Sequence, residues 1–354
     1  MGPEKILGAG YNKEKPTGGS AMKRVCLVVI GVLLAALLAG CTGDSLESYK
    51  KAVQKTEEIT KGQVSGDFTL ALDFDLTGLE EAQIKDLEYF KNIKGSFQAT
   101  YDREAEKTIC RNYLNLNGLG FDTDFYRNGR EMFIKMPIAG KYIRLDEMME
   151  GKETKPPGTA EFDFVSPETG DTLHQTWLAL IRQEDVFTGK SMILTTPDGE
   201  VKTTRYGIKL TDAQIKALIN DTFAALSGDE KLKSNFDRLI EQNFASQDEI
   251  TFDRLSGEIK KSLASCRIEN FQYDAYVDID GYIVNEIISF EAKFTPDQAG
   301  GVTGIRYRLE TKNWDINQEQ EFKFPVLTKE NTLDPEEMDR NLPFVFKDLF
   351  QKKS

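Results

Sequence analysis

The sequence predicts an α+β fold: a strongly curved antiparallel sheet, of half-barrel form, with helices packed on its concave face. Three observations predict it. Residues from Val64 to Leu76 alternate with a period of two, Phe68, Leu70, Leu72, Phe74 and Leu76 against Asp67, Thr69, Ala71, Asp73 and Asp75, which gives a long strand with one dry face and one wet face. Strand-like runs on either side of the middle of the chain are joined by connections too short for parallel crossovers. Between them lie capped stretches with helical apolar spacing.

In chain order, Asp44 with Glu47 forms a capping-box pattern. Leu46, Tyr49, Val53 and Ile59 then lie along one face of a helix that ends near Gly62. On the long strand, Phe68, Leu70, Leu72, Phe74 and Leu76 share the apolar side. Strands follow at about 96–103, 108–117 and 119–127. Asn128-Gly129 marks a tight turn into Glu131–Met136, because both residues tolerate positive φ. A short strand, Lys141–Leu145, completes a first meander over 63–146.

The segment Lys152–Gly158, with Pro156-Pro157, reads as a loop or hinge. A largely helical region covers 166–264. Ser166-Pro167 opens its first helix with a cap and a proline at the first position; Leu173, Trp177, Leu180 and Ile181 give the buried stripe. A hairpin turns at Asp198-Gly199. Thr211 with Gln214 caps a helix carrying Ile215, Leu218, Ile219, Phe223 and Leu226. Two more helices are expected near 229–243 and 251–264.

A second meander covers 267–326, with strands Phe271–Ile279 and Tyr282–Phe294 around an Asp280-Gly281 turn. Ile305, Tyr307 and Leu309 alternate on the next strand, and a last strand is expected to end near Phe324-Pro325. Asp334-Pro335 begins a C-terminal tail, 334–354, rich in phenylalanine. The helical stretch between the two strand regions has no obvious linker, which favours one continuous sheet over two.

The N-terminus carries an address. From Met22 the chain reads Met22-Lys23-Arg24, an apolar run from Val25 to Ala39, then Gly40-Cys41. This is the charge, apolar core and small-residue cleavage site of a secretory signal over 22–40. The run is shorter than the roughly 20 residues that span a bilayer as a helix. Leu38-Ala39-Gly40-Cys41 resembles the lipobox of bacterial lipoproteins. That resemblance implies that a peptidase recognises Leu38, Ala39 and Gly40 and cuts before Cys41. The Cys41 thiolate, a soft nucleophile, then carries a diacylglyceryl group. The expected location is the outer face of the cell membrane, held by lipid, since two acyl chains anchor stably where one does not. Residues 1–21 are polar, glycine-rich and unlike a signal, and read as an extension upstream of a true start at Met22.

The net charge of −13 becomes more negative once the basic leader is removed. It argues against nucleic acid and against electrostatic docking on anionic lipid. After removal of Cys26 and lipidation of Cys41, only Cys110 and Cys266 remain. An oxidising compartment admits a disulfide between them. Both also sit in phase with apolar stripes, which admits buried free thiols.

The capped first helix, the long amphipathic strand and hairpins of the Tyr126-Arg127-Asn128-Gly129…Phe133-Ile134-Lys135-Met136 kind look like those of the LolA/LppX-like lipoproteins. The ending Phe322-Lys323-Phe324-Pro325 resembles the closing strand of such chains. The resemblance implies an extracytoplasmic domain over 41–354 and an apolar cavity for an acyl chain or similar ligand.

Signals of catalysis are weak. His174 is the only histidine, so zinc-ligand sets and histidine-based nucleophile machinery lack partners. Asp278-Ile279-Asp280-Gly281 fails as a calcium loop, because Tyr276 and Ile287 would occupy the first and last ligand positions. Asp122 and Asp124 share a strand face and read best as solvated carboxylates. No phosphate-binding glycine loop is present. The expectation is therefore a non-catalytic protein without metal or cofactor. Its apolar face, Phe68 to Leu76, either lines a ligand cavity or is a core filled by helices. In the second case an envelope protein becomes the expected partner.

Overall fold

The computed structural model describes residues 44–135, 140–144, 166–234, 236, 251–295 and 301–333. The leader, the lipobox from Leu38 to Cys41, the 152–158 loop, most of the helix expected near 229–243, and the tail 334–354 lie outside the described residues. The chain divides into two units, Met1–Asp44 and Ser45–Ser354, and the elements named here belong to the second.

Helix α1 (Ser45–Glu57) leads into β1 (Lys61–Phe74), a short helix α2 (Glu81–Glu88), and the strands β2 (Asn92–Asp102), β3 (Lys107–Leu116), β4 (Leu119–Asn128), β5 (Glu131–Lys135) and β6 (Tyr142–Arg144). Helix α3 (Pro167–Leu180) and a single 3-10 turn precede the hairpin β7 (Val186–Thr196) and β8 (Gly199–Ile208). Helices α4 (Asp212–Ser227) and α5 (Phe252–Ser265) follow, and then β9 (Arg267–Asp278), β10 (Ile283–Lys293) and β11 (Val302–Trp314).

The eleven strands of the described residues form one open sheet in the order β6-β5-β4-β3-β2-β1-β11-β10-β9-β8-β7. Every neighbouring pair is antiparallel. The two meanders are thus a single curved half-barrel sheet in an α+β fold, joined where β1 meets β11. Gln63 pairs with Trp314 at one end of that seam and Leu72 with Ile305 near the other.

Two of the capping signals, at Ser166 and at Thr211, form as the sequence expects. Ser166 Oγ accepts a hydrogen bond from Thr169 N (3.2 Å) at the start of α3. Thr211 and Gln214 cap α4 reciprocally. These side chains satisfy amide groups that the first helical turn leaves without partners. Two carboxylates, of which Asp229 is buried, tie the helices down. Asp212 Oδ1 accepts from Ile268 N of β9 (2.8 Å), and Asp229 Oδ2 accepts from Ser166 N (2.7 Å).

Three local expectations change. Asn128 stays in β4, opposite Glu131, so the turn is Gly129-Arg130 with only Gly129 at positive φ (60°). The turn with both central residues at positive φ is Asn117-Gly118 (48° and 105°), between β3 and β4. Helix α2, which buries no residue, has too little apolar pattern to be read in advance. Most telling, no strand forms at Phe322–Pro325. β11 is already paired on both sides, by β1 and β10, so the segment after it has no neighbouring edge to join. It runs instead to the far end of the sheet, where Tyr142 N of β6 donates to Asn331 O (2.8 Å) and Leu333 N donates to Tyr142 O (2.8 Å).

The main apolar core lies between the helices and one half of the sheet. Tyr49 and Ala52 of α1, Leu178 of α3, Ile215 of α4 and Ile208, Tyr273, Ala275, Val277, Ile283 and Ala292 of the strands belong to it. Among the described residues none of its members comes from β1 to β6. Tyr126, Phe133 and Tyr142 form a separate aromatic group near the β6 edge. Ile208 is fully buried; Ile208→Ala is expected to lower stability by about 2–5 kcal/mol. Thr211→Ala, which removes only the α4 cap, should cost about 1 kcal/mol. Urea unfolding of the two variants checks the order and the size.

Candidate functional site

Antiparallel pairing carries the apolar side of β1 across the sheet. Phe68 stands opposite Gly95 of β2 and Leu309 of β11, and Leu70 opposite Ile93 and Tyr307. Phe68, Leu70, Leu72, Phe74 and Leu76 are all half-buried. The structure therefore brings the expected ligand-face residues together, with Leu76 just beyond the end of β1. This is the half of the sheet from which the main core draws no strand residue.

Two glycines shape the face. A Cβ on Gly66 would sit 2.3 Å from the Phe97 ring, and a Cβ on Gly95 would sit 2.2 Å from the Phe68 ring. Gly66 pairs with Phe97 and Gly95 with Phe68 across the same two strands. Each ring leans across to the glycine opposite and fills the space where a Cβ would stand. The result is a low aromatic floor made by reciprocal pairs. The contact is the cross-strand packing of an aromatic ring on the bare backbone of a glycine.

Cys110 continues the neighbouring row, Val64–Ala99–Cys110–Phe125. It is half-buried, and burial pushes its thiol up from its ordinary value. Cys266 is buried at the end of α5. Both thiols are free, so the disulfide alternative is not realised. Cys110 is on β3 and Cys266 just before β9, with β2, β1, β11 and β10 between those strands.

A half-buried acid stands on the same side of the sheet, where the floor meets the core. Glu286 of β10 faces Thr311, which faces Gly66. Tyr273 Oη donates to the Glu286 carboxylate, and Trp177 Nε1 of α3 donates to Tyr49 Oη (2.9 Å). The Tyr49 and Tyr273 rings meet edge-on, with centroids 6.0 Å apart. Burial raises the Glu286 carboxyl above the usual range, and the hydrogen bonds from Tyr273 and Thr311 only partly offset it. Burial and the nearby Glu286 charge push the Tyr273 phenol well up. The signal was present in the sequence: Glu286 stands in phase with Val284, Ile288, Phe290 and Ala292, a charged residue on an otherwise apolar stripe.

The remaining expected residues stay apart. His174 pairs with Glu57 of α1. Asp278 Oδ1 accepts from Tyr282 N (2.8 Å), which closes a hairpin. Among the described residues no group of three or more histidine, cysteine or acidic side chains could hold a metal. No described helix is long and apolar enough to cross a membrane.

No family model matches the chain, and no curated protein matches it. Two solved structures align with long stretches. One is a domain from Vibrio parahaemolyticus described as an outer membrane lipoprotein-sorting protein, 8% identical over 85% of this chain and 97% of that one, with a TM-score of 0.19. The other is a β-barrel-like protein of unknown function from Brucella abortus, 10% identical over 73% of this chain and 100% of that one, with a TM-score of 0.20. Likenesses this remote carry no argument.

Glu286 makes a pH prediction. Its folded-state pKa is raised, so the fold holds the proton more tightly than the unfolded chain does. Its contribution is fully present below the ordinary glutamate value of about 4.3 and is lost as pH rises through the raised value. A series of melting temperatures should therefore decline over that window, and Glu286→Gln should flatten the decline. An unchanged slope in the variant would remove Glu286 as its source.

Proposed function

We propose that the chain is a non-catalytic lipoprotein, anchored through Cys41 on the outer face of a membrane, whose curved sheet holds an acyl chain or similar apolar ligand. The observation that carries the ligand reading is the half-buried floor of β1 and β2, with Phe68 and Phe97 packed against Gly95 and Gly66. Concave apolar surfaces with a few polar groups are the usual form of ligand sites. Glu286 and Thr311 supply such polar groups at the border of the floor. The anchor reading rests on Leu38-Ala39-Gly40-Cys41 and the basic, apolar leader before it.

A second reading, an envelope protein that binds another protein, is favoured by the edge strand β7. Phe187, Met192 and Ile193 there are 54%, 42% and 64% exposed, and an apolar edge invites strand pairing.

Cys110 provides the test of the ligand. Added phospholipid or fatty acid should slow alkylation of Cys110 in protein lacking the first 42 residues. Gly95→Val, which displaces Phe68, should abolish that protection. Native mass spectrometry of the same protein should show added mass that organic solvent removes. Bare mass and unchanged alkylation would sink the ligand reading and leave the edge-strand reading to be tested by capture of partners. Separately, Cys41→Ser should abolish incorporation of labelled palmitate by the full chain; incorporation that persists would refute the anchor.

A further inference from the structure

The polar side of β1 to β4 carries two adjoining grooves. One, of about 500 Å³, is lined by Asp67, Gln98, Arg111, Tyr113, Asp122 and Asp124 among others. The other, of about 440 Å³, is lined by Lys94, Tyr113, Asn115 and Asn117 among others. Tyr113 belongs to both and is 40% exposed. Its placement repeats the device seen on the opposite face. A Cβ on Gly120 would sit 2.7–3.2 Å from Tyr113 Oη, Cε2 and Cζ, so the ring leans across with its tip beside Gly120. Asn115 Nδ2 donates to Tyr113 Oη (3.0 Å) and holds the ring by its edge.

Around that ring the polar groups stand in registered rows. Gln98, Arg111 and Asp124 face one another across β2, β3 and β4. Asp67, Ser96, Tyr113 and Asp122 form the next row across β1 to β4. Neighbouring strands are about 4.8 Å apart, so amides, carboxylates and a guanidinium are presented on a rigid grid. Asp67, Asp122 and Asp124 stand against Lys94 and Arg111, which leaves the grooves close to neutral and slightly negative.

We propose that this surface binds a neutral glycan chain. A sugar ring offers an apolar C–H face and, at its rim, vicinal hydroxyls that both donate and accept. An exposed tyrosine ring matches the face. Paired carboxylate oxygens, amides and the fork of an arginine match the rim. The slight negative balance disfavours phosphorylated or sulfated polymers and nucleic acid. The site is independent of the apolar floor, which lies on the other side of the same strands. It gives Asp122 and Asp124 a binding role, in which no bond is made or broken.

The test uses the full chain in detergent, titrated with the β1,4-linked tetramer of N-acetylglucosamine and, separately, the tetramer of glucose. Calorimetry and saturation-transfer NMR report the binding. Saturable binding of at least one tetramer is expected. Tyr113→Ala should weaken it about tenfold or more, while Tyr113→Phe, which keeps the ring, should retain most of it. Gly120→Val alters no polar group and should weaken binding by displacing the ring. Absence of saturable binding at millimolar sugar, binding indifferent to Tyr113→Ala, or preferential binding of a polyphosphate would each overturn the proposal.

Discussion

The pairing of β1 with β11 is the constraint on which the rest of the structure depends. It joins the first strand of the domain to the last, from Gln63 opposite Trp314 to Phe74 opposite Val302. Without it the chain would form two separate meanders. Each would have a long free edge, and the apolar side of β1 would lose Leu309, Tyr307 and Ile305 as neighbours. The seam also sets the folding problem. Its partners are far apart in sequence, and ordering so long an intervening loop costs entropy before the contacts return it. The first meander has its own hairpins, but β1 acquires its second neighbour only when the last strand is in place.

That arrangement explains an asymmetry in the packing. Helices α1, α3, α4 and α5 build the main core with β7 to β11, while β1 to β3 keep an apolar face that is half-buried. Glu286, Thr311, Tyr273, Tyr49 and Trp177 stand at the border. Hydrogen bonds between neighbouring side chains make the burial of these polar groups tolerable. The border is therefore specific in a way that an all-aliphatic core is not, since each member restricts the orientation of the next.

Much of this fold is legible in the sequence, for physical reasons. A period-two pattern as regular as Val64 to Leu76 leaves one way to bury a face, and capping boxes such as Thr211 with Gln214 act within one turn of helix. The failures have physical reasons too. Phe322 to Pro325 alternates like a strand, yet whether a strand forms depends on a free edge, which only the sheet order decides. The Asn128-Gly129 signal was shifted by one residue because register across β4 and β5 selects the turn. Of the candidate site, the apolar row of β1 was legible and its glycine partners were not. Gly66 and Gly95 gain meaning only once Phe97 and Phe68 are placed opposite them.

Those reciprocal pairs bear on how such a sequence can vary. A larger residue at 66 collides with the ring at 97, and one at 95 with the ring at 68. Neither glycine can drift alone, and neither phenylalanine is replaced without uncovering bare backbone. Positions 66, 68, 95 and 97 thus behave as a single heritable character. In related chains they should change in concert, as correlated columns, even where little else on these strands is kept.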